Sequence, residues 1–67
     1  MQKWEYLEVY LEYEKSSPRP RLVNGRELPD WKKSPSYIEY FNGLGAQGWE
    51  LIGWEGTSIF RFKRPSE

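Results

Sequence analysis

The sequence has no cysteine and no histidine among its 67 residues. Without thiols there is neither a disulfide nor a thiolate metal site, and without imidazole the usual zinc ligands and the base of most nucleophile triads are missing. No metal, no cofactor and no enzymatic role are therefore expected. Net charge is lacking as well, since ten basic residues balance ten acidic ones, and bulk charge does not drive the chain toward nucleic acid or a membrane surface. No apolar run approaches the roughly 20 residues that span a bilayer, and Met1-Gln2-Lys3-Trp4-Glu5 has no hydrophobic signal core. The chain reads as cytoplasmic. There is no Walker-type phosphate loop either. Gly43-x-Gly45-x-x-Gly48 has the dinucleotide-loop spacing, but it closes a helical pattern instead of opening one.

What is abundant is aromatic mass: four Trp, five Tyr and three Phe make up 18% of the chain. A chain of this size forms a single domain, residues 1–67, and buries only roughly 60% of its unfolded surface, so something must reinforce its core. Large rings can do so, each enclosing on the order of 150–250 Å². A partner chain is the other means.

Charge is segregated along the sequence. Residues 1–14 set Lys3 against Glu5, Glu8, Glu12 and Glu14, while residues 15–33 set Lys15, Arg19, Arg21, Arg26, Lys32 and Lys33 against Glu27 and Asp30. The middle segment is the basic part of the molecule.

Residues 3–14 alternate with period two and are rich in β-formers, which predicts a long strand. Leu7, Val9, Leu11 and Tyr13 share its aliphatic face, expected to be core. Trp4, Tyr6 and Tyr10, interleaved with Glu8 and Glu12, share the other. Residues 15–20 carry two prolines and read as a loop. Asn24-Gly25 tolerates the two positive φ angles of a type I′ turn, so residues 21–28 read as a short hairpin. A helix is expected to start at a cap on Ser34, with Pro35 following, or on Ser36, with Glu39 completing a capping box. Its apolar stripe is Tyr37, Ile38, Phe41 and Leu44, and Gly45 suits the left-handed residue that ends it. Strands at 49–54 and 57–63, joined at Glu55-Gly56, form a C-terminal hairpin, with Trp49 and Leu51 on one face and Ile52 and Trp54 on the other. The fold class is α+β: a two-layer sandwich in which an antiparallel sheet of three to five strands carries one helix on one face.

Lys3-Trp4-Glu5-Tyr6, Leu44-Gly45-Ala46-Gln47-Gly48-Trp49-Glu50-Leu51-Ile52 and Phe62-Lys63-Arg64-Pro65 together resemble a family of small bacterial and phage domains, domain of unknown function 4177. The resemblance covers both ends and the helix-to-strand junction. It leaves residues 15–33 as a basic insertion. It implies a compact strand, helix and hairpin unit and no particular activity or functional residue.

Two surfaces can carry function. In the insertion, Arg19, Arg21 and Arg26 can fork onto phosphate or carboxylate, Lys32 and Lys33 add charge, and Trp31 offers a stacking plane for a small anionic, nucleotide-like ligand. The plainer reading is that Trp31 plugs the end of the core and the charges are solvated. The second surface is the aromatic strand face of Trp4, Tyr6 and Tyr10, with Trp54 alongside, expected to be the interface of a homo-oligomer, a dimer first of all. Glu8 and Glu12, about 13 Å apart by strand rise, are too distant to act as an acid and base pair. The expectation is a non-enzymatic, self-associating binding module, with a nucleic-acid-associated or protein-binding regulator that uses the basic loop as the alternative.

Overall fold

The computed structural model describes residues 1–14 and 17–66, which form an open five-stranded antiparallel sheet and one α-helix. The strands are β1 (Lys3–Glu14), β2 (Ser17–Val23), β3 (Arg26–Glu27), β4 (Glu50–Glu55) and β5 (Ile59–Ser66). The helix α1 spans Tyr37–Ala46, and a 3-10 turn at Trp31–Lys33 precedes it. The spatial order β3-β2-β1-β5-β4 puts β1 at the centre of the sheet, between β2 and the last strand of the chain. No helix among the described residues is long and apolar enough to cross a membrane.

The period-two reading of β1 holds at its centre. Val9 and Leu11 are fully buried, and Leu7 packs beside them. Register places Phe62 opposite Leu7 and Phe60 opposite Val9, so these five residues share what we call the inner face. The helix meets them through Leu44, which is buried, and through Tyr37, Tyr40 and Phe41. The Phe41 ring lies edge-on to Phe62 at 5.0 Å between centroids and 5.3 Å from Phe60. Ile38, expected in this stripe, is 53% exposed, and Tyr40 takes its place. The helix therefore turns its contact face toward positions 37, 40, 41 and 44, an i, i+3, i+4, i+7 set.

Residues 17–20, expected to be loop, are instead part of β2. Lys15 and Ser16 lie outside the described residues. The prolines fit for a reason visible only in the register. The Leu11 amide donates to Ser58 O at 2.7 Å, on the β5 side of β1, so Leu11 and by alternation Tyr13 turn their backbone polar groups away from β2. Pro20 and Pro18 are their partners. Both prolines thus occupy non-hydrogen-bonded sites of the ladder, where a missing N–H costs nothing, and the Pro20 ring is fully buried. A bulge between Tyr10 and Leu11 leaves Arg21 without a partner residue on β1.

The hairpin joining β2 to β3 forms as read, with Asn24 at φ 52° and Gly25 at φ 82°. The helix is capped at Ser36, whose Oγ accepts the Glu39 amide at 3.5 Å. Its end differs from expectation. Gly45 lies inside the helix, and the left-handed residue is Gly48, at φ 91°. Trp49 N–H reaches Leu44 O and Gly48 N–H reaches Gly45 O, each at 3.0 Å, the bond pair of a Schellman motif with Gly48 at C′. Trp49 and Leu44 then meet in the core, which is the hydrophobic contact such an ending favours. Nothing crowds a Cβ built on Gly48, so its requirement is conformational alone. Gly48→Ala is expected to cost about 1–2 kcal/mol through the left-handed backbone, and urea denaturation would check it. A loss no larger than that of Gly43→Ala, inside the helix, would contradict the assignment.

The C-terminal hairpin closes through Gly56, Thr57 and Ser58, with Glu55 opposite Ile59. A bulge between Leu51 and Gly53 shifts the alternation of β4. Leu51 stands opposite Phe62 and Trp54 opposite Phe60, so Trp54 belongs to the inner face and not with Trp4, Tyr6 and Tyr10 as expected. It lies beyond the helix there and is 65% exposed.

The resulting core is small. Among the described residues only Val9, Leu11, Leu44 and Phe62 form its buried hydrophobic cluster. The radius of gyration is 12.2 Å, with a long axis of 44 Å, above the about 11 Å that scaling gives for this length.

Candidate functional site

The face of the sheet opposite the helix is built from alternate residues of its central strands. Pairing sets Trp4 beside Pro65, Tyr6 beside Lys63, Glu8 beside Arg61 and Tyr10 beside Ile59. Trp4 is 41% and Tyr6 64% exposed, whereas Tyr10 is half-buried. Ile52, displaced by the bulge, is 47% exposed. With Tyr6, Leu7, Glu8, Asn24 and Arg61 it lines an open depression of about 240 Å³.

Three of the charges on this face satisfy one another, while Glu50, opposite Lys63, joins no ion pair among the described residues. Arg61 Nε meets Glu8 at 3.1 Å and its Nη2 meets Glu55 at 2.6 Å, so one guanidinium joins β1, β5 and β4. These carboxylates hold Arg61 above its ordinary value, Glu55 contributing most. Lys63 Nζ sits 4.2 Å from the Trp4 ring centroid, a cation over a π face. Asn24 closes the near end: its Oδ1 accepts the Glu8 amide at 2.9 Å while its own amide donates to Glu8 O at 2.8 Å. Covering Glu8, Arg61 and Glu55 therefore strands no charge at their positions. Arg61 and Ile52 are absent from the sequence-level site. The parity of Arg61 within its strand was a signal, but the β1–β5 pairing that sets it against Glu8 was not.

The basic insertion comes together only in part. Arg21 Nη1 bonds Glu12 at 2.9 Å and its Nε bonds Glu27 at 3.0 Å, while its guanidinium lies 4.9 Å from the Trp31 ring. Glu12 is the main cause, and Glu27 the second, of a raised Arg21 value. Lys32 Nζ is 5.8 Å from the same ring. Arg19 Nη1 donates to Ser34 O at 2.6 Å, tying β2 to the segment before the helix. Arg26 and Lys33 are exposed and join none of these contacts. Trp31 is half-buried over Arg21 and stands apart from the hydrophobic cluster, so it does not plug the core. Two carboxylates around one arginine leave the centre of the insertion without an excess positive charge.

A third cluster joins the three stretches of sequence that carry the family resemblance. Arg64 Nε bonds Glu5 at 3.0 Å, its Nη1 donates to Gln47 O at 3.1 Å, and its guanidinium stacks 4.3 Å from the Trp49 ring. A cation at the C-terminal end of α1 also complements the helix dipole. This cluster holds the helix end to the sheet.

The Tyr40 phenol is pushed up by burial and stays protonated at neutral pH, so it offers no base. Among the described residues no group of three acidic side chains converges on a possible metal position. No protein-family model matches the chain, and comparisons with curated proteins and with solved structures find no match either.

Proposed function

We propose that this chain is a small cytoplasmic, non-enzymatic binding module that self-associates through the sheet face bearing Trp4, Tyr6, Ile52 and Tyr10. In this reading the helix and the sheet are two layers, and a second copy supplies the third. The observation that carries it is the contrast between a buried cluster of four hydrophobic residues and an opposite face where Trp4 and Tyr6 stand exposed. A standard interface needs roughly 800 Å² from each partner. The 44 Å length of the molecule, with 5011 Å² of total surface, can present that area. The closed ion-pair set Glu8, Arg61 and Glu55 lowers the cost of covering the face. A nucleotide-like ligand at the insertion loses its central donor, because a phosphate would have to displace Glu12 and Glu27 from Arg21. Sedimentation velocity from 1 to 100 micromolar is expected to show a monomer giving way to a dimer; a monomer across that whole range would overturn the proposal.

A further inference from the structure

The two edges of the sheet are treated differently. On the β2 side the edge is closed by short β3, by Pro18 and Pro20 with their nitrogens facing outward, and by the Trp31–Lys33 turn fastened through Arg19 to Ser34. Short strands, prolines and covering segments are the devices that stop strand addition. On the other side β4 is the terminal strand, with β5 as its one neighbour. Glu50–Glu55 contains no proline, lysine or arginine. Leu51, Ile52 and Trp54 are 42%, 47% and 65% exposed, and the bulge distributes them over both faces of the edge.

We propose that β4 receives an extended segment of another protein as a sixth strand, one with alternating apolar residues and a lysine or arginine at the end that meets Glu50. Backbone pairing along β4 supplies affinity, and the side chains on either face supply selection. The end charge follows from the strand itself. Glu50 and Glu55 close its two ends; Glu55 is already held by Arg61, so Glu50, which joins no ion pair among the described residues, is the carboxylate left to a partner's cation. A second copy fits less well. Antiparallel pairing of β4 with itself, centred between Ile52 and Gly53, sets Glu50 against Glu55 at both ends, and like charges directly opposite destabilise a sheet.

The test uses the full chain and a synthetic seven-residue peptide of alternating valine and threonine with lysine at each end. A second peptide carries glutamate at the ends. Hydrogen exchange of the β4 amides and tryptophan fluorescence are read at a concentration where the protein is monomeric. The expected result is slowed exchange confined to β4, with binding at least about tenfold tighter for the lysine peptide, which corresponds to the ~1.4 kcal/mol that one favourable charge contact can supply. Trp54→Lys, at a largely exposed position that leaves the fold intact, is expected to abolish binding of the lysine peptide. Equal binding of both peptides, or unchanged exchange in β4, would overturn the proposal. So would slowed β4 exchange that grows with protein concentration and needs no peptide, because the occupant would then be a second copy.

Discussion

Phe62→Ala is expected to leave the protein largely unfolded at 37 °C. Phe62 is one of four residues in the buried hydrophobic cluster, it stands opposite Leu7 on one side and Leu51 on the other, and Phe41 meets it edge-on at 5.0 Å. Truncating such a ring costs about 3–5 kcal/mol, including the cavity it leaves. Domains hold about 0.05–0.15 kcal/mol per residue, roughly 3–10 kcal/mol for a chain of this length. A single truncation therefore consumes a third or more of the total. Thermal melting followed by far-ultraviolet circular dichroism should show a midpoint lowered by at least about 12 °C, since each kcal/mol shifts a domain of this size by roughly 4–8 °C. Phe62→Leu, which keeps most of the volume, should lose far less. A midpoint within about 3 °C of the parent for the alanine variant would mean that the core lies elsewhere.

Tyr6→Lys is expected to abolish self-association and to leave the fold unchanged. Tyr6 is 64% exposed near the middle of the face opposite the helix, and its cross-strand partner is Lys63. A lysine there puts two like charges side by side and ends the aromatic surface between Trp4 and Ile52. Tyrosines near the centre of an interface commonly contribute 2 kcal/mol or more, so the dissociation constant should rise by at least about thirtyfold. An exposed substitution away from the core, even with a like charge opposite it, should change stability by no more than about 1 kcal/mol. Leu51→Lys, on the inner side of the sheet, is the matched control and should retain the dimer. If Tyr6→Lys dissociates no more readily than Leu51→Lys, the interface is not this face.

Much of the fold can be read from local chemistry. Leu7, Val9 and Leu11 on the core face of β1, the Asn24-Gly25 turn and the Ser36 cap, one of the two starts considered, depend on residues close in sequence and form, whereas Tyr13, expected on the core face, is exposed. The misreadings share a cause: each depends on a neighbour that the local sequence does not identify. Pro18 and Pro20 disqualify a strand unless their sites in the ladder point away from β1, which the β1–β2 register decides. Gly45 and Gly48 are equally good helix terminators on composition, and the Leu44-to-Trp49 contact selects the later one. Trp54 changes faces because of a bulge two residues earlier. The basic segment shows the same limit. Its charge was legible as a total, but the carboxylates of Glu12 and Glu27 that occupy Arg21 come from a different strand and from the far arm of the hairpin.

The pairing of Lys3 with Ser66 has a consequence in time as well as in space. β1 can acquire β2 early, across the few residues that separate them, but its second neighbour is the last strand of the fold. Joining β1 to β5 closes a loop that contains nearly every other element, and the entropy of that closure is met before any of its contacts are made. Until then the inner side of β1, with Val9 and Leu11, has no Phe60 or Phe62 to pack beside it. The hydrophobic cluster should therefore be completed only when β5 arrives, so that β1, β5 and the helix gain and lose their order together even where β1 and β2 pair first.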